Sequence, residues 1–157
     1  MQHNDSRRYP SRPFAGIGAL VFENGRVLLV ERGQEPLKGW WSLPGGILET
    51  GERLEEGVRR EVREETGLDV EVLGLFEVFE RILPDSGGRT EYHYVLLDYL
   101  CRPAGGKLRP ASDASRVMWV SRDELGDYRI TEGTRAVVER AFGHIESQKS
   151  GHATYQR

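Results

Sequence analysis

The chain has 157 residues, a formal net charge of −3 at pH 7 and a single cysteine, Cys101. This length suits one domain with a core of its own. The small negative charge argues against a general nucleic-acid-binding protein, which would carry a basic surface. One cysteine rules out an intramolecular disulfide, and no secretory signal or apolar stretch of about 18 residues is visible. We therefore expect a cytoplasmic protein that neither binds nucleic-acid polymers nor spans a membrane.

The first third of the chain predicts a flexible start and a β-hairpin. Residues 1–12 are polar, and we expect them to be flexible. Two apolar runs at residues 14–22 and 26–32 flank Asn24-Gly25, a pair typical of two-residue hairpin turns. Trp40 and Trp41 follow, and then residues 43–46, Leu-Pro-Gly-Gly, which should turn the chain tightly and let the backbone approach a ligand.

Residues 46–68 are rich in charged side chains at helical spacing. An apolar stripe that can pack on a sheet is formed by Leu54, Val58 and Val62. Glu61, Glu64 and Glu65 share the neighbouring face of the helix. A charged helix is often a solvated surface with ion pairs worth about 0.2–0.5 kcal/mol each. However, three adjacent carboxylates repel one another unless a cation neutralises them, and such ligands suit Mg²⁺ or Mn²⁺. Spacing alone leaves the solvated face and the metal site about equally favoured.

Two glycines in this segment have physical interpretations. Gly57 lies one turn before Glu61, where a helical glycine costs about 1 kcal/mol relative to alanine. Two interpretations stay open: Gly57 leaves room for a diphosphate and its ions, or it allows close packing of the helix on the sheet. Gly67 stands where a left-handed residue would end the helix.

The rest of the chain predicts further strands and two helices. Residues 68–83 are expected to form one long or two short strands, and residues 91–101 another, with a loop at residues 84–88. A connection rich in proline and glycine at residues 102–115 precedes a short strand at residues 117–120. Ser121 and Glu124 form a capping box that opens a brief helix. A last helix is predicted at residues 132–145, capped by Thr131. Its apolar residues are expected to cover the other face of the sheet: Ala136, Val137, Ala141 and Ile145. Residues 147–157 are predicted to be disordered.

The spacing of Gly46, Glu52 and residues 60–68, Arg-Glu-Val-Arg-Glu-Glu-Thr-Gly-Leu, matches the box of the Nudix (MutT-like) hydrolases at every defining position. The chain resembles this family over roughly residues 13–142. The resemblance implies an α/β fold, the Nudix α/β/α sandwich with a mixed sheet between helices. We assign the domain to residues 13–146.

The same resemblance implies hydrolysis of a nucleoside diphosphate linked to another group X, with Mg²⁺ or Mn²⁺ as cofactor. The metal would be held by Glu61, Glu64, Glu65 and the carbonyl of Gly46. Arg60 would pair with Glu52 to orient the helix and its ligands. Glu61 is the candidate general base within the box. Outside it, Asp85 and Glu91 are alternatives, although single carboxylates in such loops are usually just solvated.

Substrate choice depends on residues outside the box. Of Trp40 and Trp41, we expect one in the core and one able to stack on a base. Pro84 lies sixteen residues after Leu68, similar to a proline of ADP-ribose-cleaving members, which favours ADP-ribose or a similar nucleotide sugar. The remaining candidate substrate contacts are Arg32 and His93, although a core or pocket-edge role is more typical of such a histidine.

Two other functions and the assembly stay open at this point. The first alternative is a MutT-type pyrophosphohydrolase of (oxidised) nucleoside triphosphates. The second is a nucleotide-sensing Nudix module without catalysis, which the complete set of box carboxylates disfavours. The partner in each case is a small nucleotide. The oligomeric state is open, with a homodimer as one outcome.

Overall fold

The computed structural model describes residues 6–34, 37–111 and 114–153, without the side chains of the last three residues. The elements in chain order are strands β1 (Phe14–Glu23), β2 (Arg26–Arg32), β3 (Trp41–Ser42) and β4 (Gly45–Ile47), helix α1 (Leu54–Thr66), strands β5 (Leu68–Pro84), β6 (Thr90–Gly106) and β7 (Ala114–Ser121), a 3-10 helix (Arg122–Asp127) and helix α2 (Glu132–Ala153). None of the described helices is long and apolar enough to cross a bilayer.

The predicted hairpin between β1 and β2 is confirmed. Phe22 pairs with Val27 in an antiparallel register, and both turn residues have positive φ angles, 50° at Asn24 and 73° at Gly25. Asparagine and glycine tolerate this left-handed conformation better than other residues, which is why the pair is typical of tight hairpin turns.

The strands form one seven-stranded mixed sheet. Its main path is β3-β2-β1-β6-β5, with β4 paired to β1 and β7 paired to β2. β1 runs parallel to β6 and antiparallel to β4, so it joins the glycine segment to the long β5–β6 hairpin. The prediction of one long or two short strands at residues 68–83 is resolved as one long strand, β5.

Two cores lie on opposite faces of the sheet. On the first face, helix α1 packs its apolar stripe on the sheet, and Val58 and Val62 are fully buried there. On the second face, helix α2 buries Val137, Val138 and Phe142. The α/β/α sandwich with a mixed sheet between helices is thus confirmed. Ala136, which the sequence placed in the α2 interface, is exposed instead.

The structure departs from the prediction at three segments. β6 continues to Gly106, so the expected connection at residues 102–115 is shorter. α2 continues to Ala153, whereas disorder was expected from residue 147; residues 154–157 lie outside the described chain. Residues 8 and 9, in the segment expected to be flexible, contact the β5–β6 hairpin: the backbone N–H of Tyr9 donates to the carbonyl of Glu91 at 2.8 Å, and Arg8 pairs with the Glu91 side chain. Residues 1–5 lie outside the described chain. The homodimer stays a prediction.

Candidate active site

A short strand, rather than a tight turn, carries the glycines of the box. The chain bends at Pro44, and β4 then pairs with β1, with Gly45 opposite Gly18 and Gly46 opposite Ile17. A Cβ at Gly46 would lie only 2.5 Å from Oε1 of Glu61. The Glu61 carboxylate therefore lies directly against the backbone of Gly46, an approach that only glycine permits.

Helix α1 has defined signals at both ends. At its start, the backbone N–H of Arg53 donates to the Glu56 carboxylate at 3.2 Å. At its end, Gly67 adopts the left-handed conformation with φ of 76°, and its N–H donates to the carbonyl of Arg63. The predicted helix cap at Gly67 is confirmed.

Arg60 is the centre of an ionic network between the helix and the loop before it. Its guanidinium donates two hydrogen bonds to Glu52, at 2.6 and 2.9 Å, and others to Glu61 at 2.8 Å and Glu64 at 3.2 Å. A fifth contact reaches the carbonyl of Ile47 at 3.4 Å. The hydrogen bond from Arg60 holds the pKa of Glu52 below its usual value, and the bond to Glu52 raises the pKa of Arg60. The predicted Arg60–Glu52 pair is present.

The three box glutamates share one helix face but reach different partners. The side chain of Glu61 is 13% exposed, and burial raises its pKa although the Arg60 hydrogen bond opposes the shift. Glu64 is half exposed beside Arg60, whereas Glu65 accepts a hydrogen bond from the backbone N–H of Gly45 at 3.3 Å. In their present positions, no three histidine, cysteine or acidic side chains of the described residues are close enough together to bind one metal ion.

The donor chemistry of this face fits a hard divalent cation. The available ligands are carboxylate oxygens of Glu61, Glu64 and Glu65, together with backbone carbonyls of the glycine strand. The Arg60 guanidinium bridges Glu61 and Glu64 at 2.8 and 3.2 Å, so both carboxylates are directed toward one positive charge. The absence of a Cβ at Gly46 keeps the Glu61 carboxylate in contact with the strand backbone.

Gly57 packs against the sheet and does not face an open space. A Cβ there would lie 2.5 Å from Cδ1 of Ile17, 2.8 Å from Oε1 of Glu52 and 3.0 Å from Cδ1 of Leu48. The close-packing interpretation of this glycine is therefore favoured over room for a diphosphate.

We expect Gly57→Ala to destabilise the fold by about 1 kcal/mol, because overpacking costs about 1–3 kcal/mol and exceeds the gain of about 1 kcal/mol in helix propensity. Gly143→Ala in α2 is the control, since nothing lies within 4 Å of its Cβ position. That variant should be stabilised by up to about 1 kcal/mol. Urea unfolding of both variants measures the difference, and equal stabilisation would contradict the packing argument.

The adjacent tryptophans have different environments. Trp41 is 4% exposed and meets the ring of Tyr128 edge-on, with the centroids 5.1 Å apart. We therefore remove Trp41 from the candidate substrate contacts, because a ring buried in the core has no open face on which a base could stack. Trp40 is partly exposed, and the guanidinium carbon of Arg129 lies 4.3 Å from its ring centroid. Trp40 stays the candidate for stacking.

The remaining predicted contacts lie outside the box region. Arg32 ends β2 and is partly buried, with its backbone N–H donating to the carbonyl of Trp40 at 2.8 Å. Pro84 ends β5, and His93 pairs with Ile82 across the same hairpin. Ile17 of β1 pairs with Gly46 on one side and with Leu97 of β6 on the other. His93 precedes Leu97 on β6, so it lies roughly 13 Å along the strand from the position of Gly46. The structure does not bring Pro84 and His93 to the box carboxylates.

The two alternative base candidates bind the N-terminal segment. Asp85 accepts a hydrogen bond from the hydroxyl of Tyr9 at 2.8 Å, which lowers the pKa of Asp85, and Glu91 pairs with Arg8 at 2.7 Å. Glu91 lies roughly 20 Å along β6 from the level of Gly46. Both carboxylates therefore hold residues 8–9 on the hairpin, which favours Glu61 as the candidate base.

Sequence reasoning missed one titratable residue near the glycine strand, Asp98. Asp98 lies on β6 beside Gly18 and is 5% exposed. No other acidic residue in the described part of the chain is buried. The sequence feature that could have identified Asp98 is an aspartate within the otherwise apolar run at residues 95–101.

Comparisons with known proteins agree with the fold and the box. The model of the NUDIX domain matches residues 12–141. A "MutT-like protein" from Streptomyces ambofaciens is 36% identical over 126 residues, which are 80% of this chain and 75% of the relative. An "ADP-ribose pyrophosphatase" from Methanocaldococcus jannaschii is 33% identical over 113 residues, covering 72% of this chain and 64% of the relative.

Solved structures give the same result. The crystal structure of a MutT NUDIX hydrolase from Burkholderia pseudomallei superposes with a TM-score of 0.72 at 32% identity, covering 82% of this chain and 97% of that one. An α/β/α sandwich whose glutamate-rich helix packs beside a glycine strand is thus the architecture of a hydrolase domain. The chain belongs to the Nudix hydrolase family.

Proposed function

We propose that this Nudix hydrolase cleaves the diphosphate of a nucleoside diphosphate linked to X, with ADP-ribose or a similar nucleotide sugar as the leading substrate. The observation that carries the proposal is the set of three box glutamates beside the glycine strand, with Arg60 held by Glu52 at 2.6 Å. A nucleotide-sensing module without catalysis has no need for this complete set.

We assign the cofactor, Mg²⁺ or Mn²⁺, to the carboxylates of Glu61, Glu64 and Glu65 and the carbonyl of Gly46. When bound, such an ion would neutralise the diphosphate oxygens and lower the pKa of a bound water. Arg60 orients the Glu61 and Glu64 carboxylates through hydrogen bonds of 2.8 and 3.2 Å. Glu61, fixed between Arg60 and the backbone of Gly46, is the group that would accept the proton of the attacking water.

Both the relatives and this chain's own residues support the proposed substrate. A relative whose name is ADP-ribose pyrophosphatase supports the nucleotide sugar, and Trp40 offers a partly exposed ring for a base. Pro84 supports it less, because it lies at the far end of the β5–β6 hairpin. The relatives described as MutT favour the second candidate, a nucleoside triphosphate pyrophosphohydrolase.

A substrate panel with Mg²⁺ tests the proposal. ADP-ribose, other nucleotide sugars, dinucleoside polyphosphates and normal and oxidised nucleoside triphosphates would be compared by kcat/KM. We expect ADP-ribose to exceed every triphosphate by at least about tenfold and to yield AMP and ribose 5-phosphate, since one hydrogen bond to a charged group discriminates by about this factor. A preference for triphosphates with pyrophosphate release would replace the substrate assignment. No turnover of any diphosphate would contradict catalysis itself.

A further inference from the structure

Asp98 is a buried carboxyl group that accepts no hydrogen bond from the described part of the chain. Of the buried polar side chains in the described chain, Thr66 donates to the carbonyl of Val62 and Thr131 bonds to Thr134. Within the same described ranges, no group donates a hydrogen bond to the Asp98 carboxyl, and its charged neighbour is another carboxylate, Glu77. Burial and then Glu77 raise the pKa of Asp98 to about 6. A buried acceptor that lacks a partner is costly, so its retention requires an explanation.

The carboxyl oxygens of Asp98 are accessible from outside. Throughout the described residues, every side-chain nitrogen or oxygen that is fully sealed from solvent has a hydrogen-bond partner. The Asp98 oxygens have none, so they retain contact with solvent although the residue as a whole is 5% exposed.

Asp98 lies in register with the glycine strand, with its side chain on the α2 face of the sheet, whereas Glu61 meets Gly46 from the α1 face. Asp98, Gly18 and Gly45 lie side by side on β6, β1 and β4, a row of about 10 Å across three strands. A Cβ at Gly18 would overlap Oδ1 of Asp98, so the carboxyl group lies over bare backbone. The far end of the row is the Gly45 N–H that bonds to Glu65 of the box helix.

The charged side chain that acts on the Asp98 carboxyl is Glu77, which pairs with Arg140 at 2.7 Å. Leu96 and Leu100 flank Asp98 along β6, and strand alternation places them on the same face of the sheet. Leu43 reaches within 3.5 Å of the Cβ position of Gly18. Apolar neighbours beside one buried acceptor suit a flat heterocycle that carries an N–H group, and they suit a sugar with many hydroxyls less well.

We propose that Asp98 forms the subsite for the nucleoside base, accepting a hydrogen bond from an amino or ring N–H group while the diphosphate lies at the box. This inference rests on the proposed function, because it assumes a nucleotide substrate. Asp98 then determines specificity, since a buried acceptor rejects bases that cannot satisfy it.

Two variants separate this role from a structural one. Asp98→Leu removes the acceptor at similar volume, and Asp98→Asn keeps one carbonyl oxygen if the leucine variant fails to fold. Binding of AMP and of purine riboside 5′-monophosphate, which lacks the amino group, would be measured by calorimetry. Glu77→Gln is the control, because it removes the neighbouring charge and leaves Asp98 in place.

We expect Asp98→Leu to bind AMP roughly 10- to 100-fold more weakly, as for a lost hydrogen bond to a charged group, with a midpoint of urea unfolding that is unchanged or higher. The preference of the wild type for AMP over the purine analogue should disappear in Asp98→Leu and persist in Glu77→Gln. An unchanged AMP affinity in both Asp98 variants, or no AMP binding by the wild type, would overturn the subsite. Because AMP binding requires no turnover, a failure of the substrate panel alone does not contradict the Asp98 subsite.

Discussion

Replacing Glu64 with glutamine is expected to abolish metal-dependent hydrolysis while the fold stays intact. Glu64 is half exposed and lies on the same helix face as Glu61, so loss of its charge removes a proposed metal ligand without opening the core. We expect kcat/KM to fall by more than about 100-fold, beyond the 10- to 100-fold typical of groups that only orient ligands. Excess Mg²⁺ or Mn²⁺ should not restore it. The free energy of unfolding should change by less than about 0.5 kcal/mol.

The same substitution at Glu55 provides the control for Glu64→Gln. Glu55 lies on the same helix, is half exposed and pairs with Arg59 at 3.4 Å. Because such surface pairs contribute little, Glu55→Gln should keep full activity. If Glu64→Gln hydrolyses the preferred substrate as fast as Glu55→Gln, the metal assignment of the box is wrong.

Sequence patterns predicted those parts of the structure that local rules decide. The Asn24-Gly25 turn, the buried stripe at Val58 and Val62, and the Gly67 cap each depend on residues within one or two turns of the chain. The pairing of Arg60 with Glu52 followed from the family resemblance. The two short hydrogen bonds from Arg60 to Glu52 have the geometry that the resemblance implied.

The length of β6 depends on sheet pairing that the sequence does not display. Pro103 and the following glycines indicated a connection, yet the strand continues to Gly106. β1 pairs with β6 only as far as Cys101, so at Pro103 no strand of the described chain pairs with that edge of β6. Proline, which has no N–H to donate, is tolerated at such an edge.

Long-range contacts account for the remaining differences. Tyr9 is held by Asp85, a residue 76 positions away, and no local pattern announces that contact. Likewise, the sequence places three glutamates on one helix face, whereas their side-chain directions depend on Arg60 and on Gly45 from another element. Asp98 is buried without a hydrogen-bond donor among the residues that the structure describes, and only the folded chain reveals this.

Arg60→Lys should impair the site although it keeps the positive charge. The planar guanidinium donates in parallel to both oxygens of Glu52 and also reaches Glu61, a combination that a lysine ammonium cannot reproduce. The Glu52 carboxylate, 13% exposed, would lose a bidentate partner, and we expect a loss of about 1–2 kcal/mol in the free energy of unfolding. Because Arg60 positions two of the proposed ligands, kcat/KM and Mn²⁺ affinity should each fall about 10- to 100-fold.

The Mn²⁺ affinity separates positioning from simple destabilisation. Calorimetric titration at a temperature where Arg60→Lys stays folded measures it, and Arg59→Lys, at an exposed neighbouring position paired with Glu55, is the matched control. A merely structural role of Arg60 would lower the unfolding midpoint and leave the Mn²⁺ affinity of the folded variant equal to that of Arg59→Lys. The hydrogen bonds from Arg60 to Glu61 and Glu64 require instead that affinity and turnover fall together, because the same guanidinium that braces Glu52 sets the direction of both carboxylates.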